Sequence, residues 1–401
     1  MMRPVDLLRR LVELESPTGD RQRIAHIGSF LAAELQALGA VVAPDRPHLQ
    51  ASFGGPQPGL LLVAHMDTVW PAGTLQRMPF RVDGDLAWGP GALDMKGGIV
   101  VMLEAIRRAT PLRRSVSVLI TADEEIGSPT ARKVIARAAE GAAAAFVCEP
   151  PDSRGNLKTA RKGIGRFRLR ITGRPAHAGD PKNGASAIEE LARLTLRLHA
   201  LTDASGVSAN VGVVAGGTRE NVVAAEATAW VDVRVPTMAE RDRLDAFLQG
   251  LEPETPGTSI ELEGGWTRPP LERSEGAGIL FERACEYGRA LGLDLHEVSA
   301  AGGSDGNLVG ALGVPVLDGL GAEGAGSHAT DEHVLVDSLP VRADLLAAIL
   351  RDPGLEPYRH PVTYSQARLP VARPHASNDP ARSRGSAEGV SCRYPISRVR
   401  A

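Results

Sequence analysis

His65, Asp67, Asp94, the adjacent pair Glu124 and Glu125, Glu149 and His328 are the residues of this chain whose types and spacing could do chemistry. Each stands just past an apolar run or a glycine-rich turn. GLLLVAH ends at His65, SVSVLITADEE ends at Glu124 and Glu125, AAAAFVCE ends at Glu149, and Asp94 follows GPGAL. Imidazole and carboxylate donors without thiolate suit zinc and tolerate cobalt or manganese, so the set reads as a two-metal hydrolase site. Charge counting agrees. Two divalent ions bring four positive charges, Asp94, Glu125, Glu149 and one hydroxide supply four negative ones, and His65 and His328 are neutral donors. Asp67, two residues beyond His65 on the same strand face, is placed to accept the other imidazole N–H. Adjacent acids on an extended segment point in opposite directions, so one of Glu124 and Glu125 serves as ligand and the other as general base. Singly, each residue has a plainer role open to it: Asp94, for instance, could simply cap the helix of DMKGGIVVMLEAI.

Three apolar runs that stop at candidate ligands imply buried strands, and the crevice at the carboxyl ends of an open α/β sheet is the usual place for such a site. The spacing predicts helices over 20–39, 94–109 and 128–140, the last opened by Ser128 as N-cap before Pro129, alternating with strands over 59–65 and 115–121. From residue 162 the pattern changes. GRFRLRITGR alternates apolar and basic residues, as a half-exposed antiparallel strand does. A helix (185–201), strands (207–214 and 225–235) and a second helix (239–251) follow, in an order that suggests a small two-layer α+β domain inserted into the first. The expected boundaries are 1–160 and 269–351 for the two parts of the first domain, 161–268 for the insertion and 352–401 for a tail. That tail, rich in proline and arginine, lacks apolar periodicity and is expected to be unfolded.

With 401 residues, 43% of them hydrophobic and 23% charged, the chain is long enough for two domains of about 100 to 250 residues each. A formal net charge of −3 gives no reason to expect nucleic acid or an anionic membrane as partner. Its 3 cysteines are far apart and form no CxxC, so neither a disulfide framework nor a thiolate zinc site is expected and a reducing, cytoplasmic setting fits. The N-terminal segment places Leu7, Leu8, Leu11, Val12 and Leu14 on roughly one helical face interrupted by Asp6, Arg9, Arg10 and Glu13, an amphipathic helix and unlike a signal peptide.

The strings LLLVAHMDTV, GPGALDMKGG, TADEEIGS, VCEP, GRPAHAGDPKNGASAI and GSHATDEHV together resemble the M20 family of metallopeptidases and deacylases, over about residues 5 to 350. Within it, HMDTVWPAGTL, VDVR and GGSDG are most similar to the glutamate carboxypeptidase branch. The resemblance implies an α/β fold with a zinc-peptidase-like catalytic domain, a mixed central sheet flanked by helices, and an inserted lid and dimerisation domain. It implies two zinc ions, one held by His65 and Glu149, the other by Glu125 and His328, with Asp94 bridging them. Glu124 becomes the base and Asp67 the orienting acid. His177 in PAHAG resembles the lid histidine that reaches the active site of a partner subunit in a homodimer. Arg234 in WVDVR, with Asn221 near it, resembles the arginine that anchors a substrate carboxylate, for which guanidinium geometry is suited. Arg268 and Gly303 are weaker candidates for substrate contact. The implied substrate is a peptide or N-acyl amino acid with a free carboxylate, and an amino-acid N-deacylase is the alternative.

Two other classes compete. Gly302–Gly306 fits G-x-S-x-G, with Asp318 and His328 downstream of Ser304 in the order of a serine hydrolase. That reading leaves His65, Asp94, Glu125 and Glu149 unexplained. A binding protein without turnover is disfavoured because the base and all five ligand positions are present.

Overall fold

The computed structural model describes residues 2–43, 46–55, 59–352 and 354; the expected tail lies almost wholly outside them. The central sheet has six strands in the order Val41–Ala43, Leu49–Phe53, Val116–Thr121, Gly59–His65, Ala142–Val147, Val316–Leu317. Its three middle strands run parallel, and the 41–43 and 49–53 strands pair antiparallel at one edge. All seven residues of Gly59–His65 are buried, as expected for the centre of a parallel sheet covered on both faces. One face is covered by the helices Pro4–Glu13, Arg21–Ala37, Gly97–Ala109 and Ser338–Leu350, the other by Arg132–Ala139 and the short helix Asp305–Gly310. Each fully buried Leu or Ile of these layers contributes about 1.5–3 kcal/mol over an exposed one.

Between residues 163 and 268 the chain builds a second two-layer unit in the order strand, helix, strand, strand, helix, strand. Its antiparallel sheet runs Ser208–Gly216, Glu226–Val235, Gly163–Thr172, Ser259–Arg268. Helices Ala187–His199 and Met238–Gln249 pack on one face of it over a separate core containing Leu169, Leu194, Leu198, Val231 and Leu244.

Two helix starts differ from the sequence expectation. Ser128 is not an N-cap: its φ is +56°, its hydroxyl donates to Asp305, and the helix begins at Arg132 without a side-chain cap. Nor does Asp94 open a helix. It lies in a kinked turn with extended φ/ψ (−111°, 95°), and the regular helix starts at Gly97. Gly98 brings that helix against the neighbouring strand so closely that an added Cβ would lie 1.9 Å from the Cys148 carbonyl oxygen.

Candidate metal centre

The three parallel strands deliver their acids and histidine at one end of the sheet. His65 is the last residue of its strand, Glu124 and Glu125 lie in the turn after Thr121, and Glu149 follows Val147 by two residues. Asp94 enters from the kinked turn. His328 comes from the loop of a hairpin, Gly324–Ala325 and His333–Leu335, whose second strand pairs with Leu86–Trp88, just upstream of Asp94. Its φ is +63°, a left-handed conformation that costs about 1–3 kcal/mol for a non-glycine residue and is found preferentially at functional sites.

These five side chains converge. His65 Nε2 lies 3.1 Å from Asp94 Oδ1 and 3.6 Å from Glu149 Oε1. His328 Nε2 lies 3.3 Å from Asp94 Oδ2 and 3.3 Å from Glu125 Oε2. The two groups, His65/Asp94/Glu149 and Asp94/Glu125/His328, each have donor atoms within 4.8 Å of one another and share Asp94, one carboxylate oxygen toward each histidine. The donors fit divalent cations. Glu125 Oε1 is buried with no hydrogen-bond partner, an orphan that a cation would satisfy. His65 Nδ1 donates to the Asp67 carbonyl oxygen at 2.9 Å, so once Nε2 sheds its proton its lone pair faces Asp94 and Glu149.

So many acids in one dry crevice hold one another's protons. Burial, then the neighbouring Asp94, pushes Glu149 up to about 8. Burial likewise takes Glu124 to about 7, against the pull of Arg268. Hydrogen bonds to Asp94 and Glu125 hold His328 up at about 10. Burial works against ionised Asp94, but hydrogen bonds from His328 and His65 outweigh it and keep that carboxyl below the usual range. A cation entering here displaces protons.

Asp67 meets its neighbours differently from the expectation. The strand ends at His65, which turns the Asp67 carbonyl rather than its carboxylate toward the imidazole; the carboxylate stands 3.5 Å away. Its oxygens instead accept the backbone N–H groups of Glu124 (3.1 Å) and Glu125 (3.3 Å) and the Thr18 hydroxyl (2.8 Å). Asp67 thus pins the turn that carries both glutamates. That turn is 3-10 helix, Glu124–Ile126, not the extended segment expected, yet the two side chains still diverge, Glu125 to His328 and Glu124 to Arg268.

Arg268 is not free for substrate. It is buried, with Nη2 2.6 Å from Glu124 Oε1 and 3.0 Å from the Ser128 hydroxyl, and Nη1 3.1 Å from Asp305. Gly303 packs on its aliphatic stem, so both residues form the wall behind Glu124. Asp305, inside GGSDG and passed over in the sequence, also accepts the Thr121 hydroxyl at 2.6 Å. Ser304 is fully buried: its hydroxyl donates to Asp318 at 2.7 Å and caps the helix Asp305–Gly310. Asp318 is held as well by Arg161, and His328 lies with Asp94 and Glu125. The serine-hydrolase arrangement is therefore not assembled.

Three other candidates, Arg234, His177 and Asn221, lie in the inserted unit. Arg234 makes a two-pronged pair with Asp232 (2.6 and 3.0 Å) and reaches the Ala301 carbonyl at 3.3 Å. His177 is exposed in the loop after Gly163–Thr172; its Nδ1 accepts Gly179 N–H, and Ala178 N–H donates to the Asn221 carbonyl. None of the three joins the ligand cluster of its own chain through a hydrogen bond or ion pair among the described residues. A cleft of about 580 Å³, lined by Thr18, Thr68, Trp70, Pro71 and Glu125, opens beside the cluster.

Nitrogen and carboxylate donors gathered at the carboxyl ends of the parallel strands of a mixed sheet suit divalent cations in the crevice of an α/β protein. Residues 61–352 match the family described as Peptidase family M20/M25/M40. The chain is 32% identical over 372 residues to carboxypeptidase G2 of Pseudomonas sp. (strain RS-16), covering 87% of this chain and 89% of that one. It is 31% identical over 379 residues to succinyl-diaminopimelate desuccinylase of Gluconacetobacter diazotrophicus, covering 86% and 95%. A crystal structure of a tripeptidase from Staphylococcus aureus superposes with a TM-score of 0.74 at 25% identity, over 87% of this chain and 97% of that one. The chain belongs to the M20 family and is a hydrolase of amide bonds.

Proposed function

We propose that the chain is a di-zinc exopeptidase that removes a C-terminal amino acid, glutamate foremost, from a peptide or N-acyl conjugate. The observation that carries the two-ion reading is Asp94, with one oxygen toward each of two histidine–carboxylate groups. His65 and Glu149 would hold one ion, Glu125 and His328 the other, and cobalt or manganese could replace zinc. The ions, when bound, supply Lewis acidity and make water nucleophilic near neutral pH.

The chain's own residues do the rest. Glu124 takes the proton of the attacking water at its carboxylate and hands it to the leaving amine. Its raised pKa, about 7, suits both halves of that transfer, because a group titrating near the working pH can accept and return a proton. Arg268 fixes the rotamer of Glu124, and Asp67 fixes its backbone. Arg234, on exchanging Asp232 for a ligand, anchors the substrate carboxylate, with Asn221 alongside. His177, offered from the lid of a second subunit, stabilises the developing oxyanion.

A homodimer through the inserted unit is supported by that unit's surface. Its edge strand Ser208–Gly216 exposes Val213 and Val214, and Trp230, Ile188 and Leu196 are exposed on the same unit. An open, apolar sheet edge is a template for pairing. No helix among the described residues is long and apolar enough to cross a membrane; the cytoplasm is the proposed setting on the ground of three scattered cysteines without a CxxC. The 31% identity to a desuccinylase favours one second reading, an amino-acid N-deacylase.

Metal analysis followed by a hydrolysis panel tests the proposal. Two zinc ions per chain, release of glutamate from C-terminal glutamate conjugates and inhibition by chelators are expected. Turnover confined to N-acetyl or N-succinyl amino acids would select the deacylase, and activity that survives chelation would sink the metal reading.

A further inference from the structure

Glu332 lies four residues beyond His328, is completely buried, and has both carboxylate oxygens filled. Oε2 accepts the Trp70 indole N–H and the Gly91 backbone N–H, each at 2.8 Å. Oε1 accepts the backbone N–H groups of Leu93 at 2.9 Å and Asp94 at 3.0 Å. Its own backbone is tied in as well: the carbonyl accepts Gly89 N–H at 3.2 Å, and the N–H donates to Ala329 at 3.0 Å. One side chain thereby fastens three separate segments, the stretch after His65 and Asp67, the turn bearing Asp94 and the loop bearing His328.

The turn needs such a partner. Gly91 sits at φ +70° and Asp94 is outside helical geometry, so the N–H groups of 91, 93 and 94 converge on one point instead of feeding a helical ladder. Buried N–H groups left without acceptors cost about 1–3 kcal/mol each, and a carboxylate is the acceptor that takes several at once.

We propose that Glu332 is the positioning residue of the metal centre: it sets the Asp94 backbone so that one carboxylate oxygen faces His65 and the other His328. The inference rests on the two-ion reading above. Asp94 is common to both groups, so displacing it weakens both ions together, a signature that loss of any single-ion ligand lacks.

The test is the variant Glu332→Gln, nearly identical in shape. Its amide keeps one oxygen and turns an NH2 toward two N–H donors, so either orientation forfeits two of the four bonds. Zinc affinities are measured on the metal-free wild type and variant by competition with a chromophoric chelator, and those of the variant are expected to be about 10- to 100-fold weaker at both sites, with the far-UV circular dichroism unchanged. A merely structural role would lower the melting temperature of the metal-free protein yet leave the affinity of the folded protein as it was. Affinities within about threefold of wild type at both sites, or a loss at one site only, would overturn the proposal. Should the glutamine variant fail to fold, Glu332→Asp, which keeps the charge one methylene shorter, is read by the same criterion. A wild-type chain that binds no zinc would refute the two-ion reading instead, which separates the two failures.

Discussion

At the scale of single residues, the protons of the crevice decide what can be measured. His328 at about 10 and Glu149 at about 8 are protonated at neutral pH in the metal-free chain, and both must lose a proton to become ligands. Zinc binding should therefore release protons and tighten as pH rises from 6 to 8. Calorimetry in buffers of different ionisation enthalpy would show it, and a binding enthalpy independent of buffer would contradict it. Glu124 works the other way in time: it must start ionised, so kcat/KM should climb with pH through a group at or below about 7, since bound cations pull a nearby carboxyl down. Glu124→Gln should lower kcat by about 10²- to 10⁴-fold with the metal content retained; a loss of metal would mean that Glu124 is a ligand. The candidate ligands were legible in the sequence because each follows an apolar run or a glycine turn. The partners of Arg268 were not, because a buried guanidinium shared by Glu124 and Asp305 is made by tertiary contact and leaves no periodic trace.

At the scale of elements, the strands and most helices were readable, and two helix starts were not. Gly59–His65 and Val116–Thr121 fall within a residue of the apolar runs that predict them, since burial on both faces leaves little choice of residue type. Ser128-Pro129 and Asp94 had the local chemistry of helix starts, but hydrogen bonds to Asp305 and Glu332, far away in sequence, took precedence over local capping. The G-x-S-x-G string, set aside in the sequence because it left the metal ligands unexplained, is likewise settled by tertiary contact, its serine being spent on a helix cap and on Asp318. Gly98 offers a test of how tightly these elements are fitted. Gly98→Ala places a methyl on the Cys148 carbonyl beside Glu149, and such overpacking costs about 1–3 kcal/mol or more. Chemical denaturation of the metal-free protein should show at least that loss; an unchanged midpoint would mean that the helix can retreat freely.

At the scale of the whole molecule, the inserted unit from 163 to 268 has a core of its own and presents its apolar sheet edge outward. If the proposed homodimer forms through that edge, Val213→Lys should shift sedimentation from dimer to monomer, and a wild-type chain that sediments as a monomer would refute the dimer. If His177 acts in trans, turnover should fall with it while zinc content stays constant, and a fully active monomer would remove His177 from the mechanism. The five candidate ligands come from five separate segments, the first at residue 65 and the last at residue 328, with the entire inserted unit threaded between Glu149 and His328. Contacts between residues so far apart in sequence form more slowly than local ones, and during synthesis the last donor emerges only after the insertion has been made. Of the two groups, His65, Asp94 and Glu149 are all in place on the chain before the insertion begins, whereas the group with Glu125 is completed only when the far side of the insertion returns with His328.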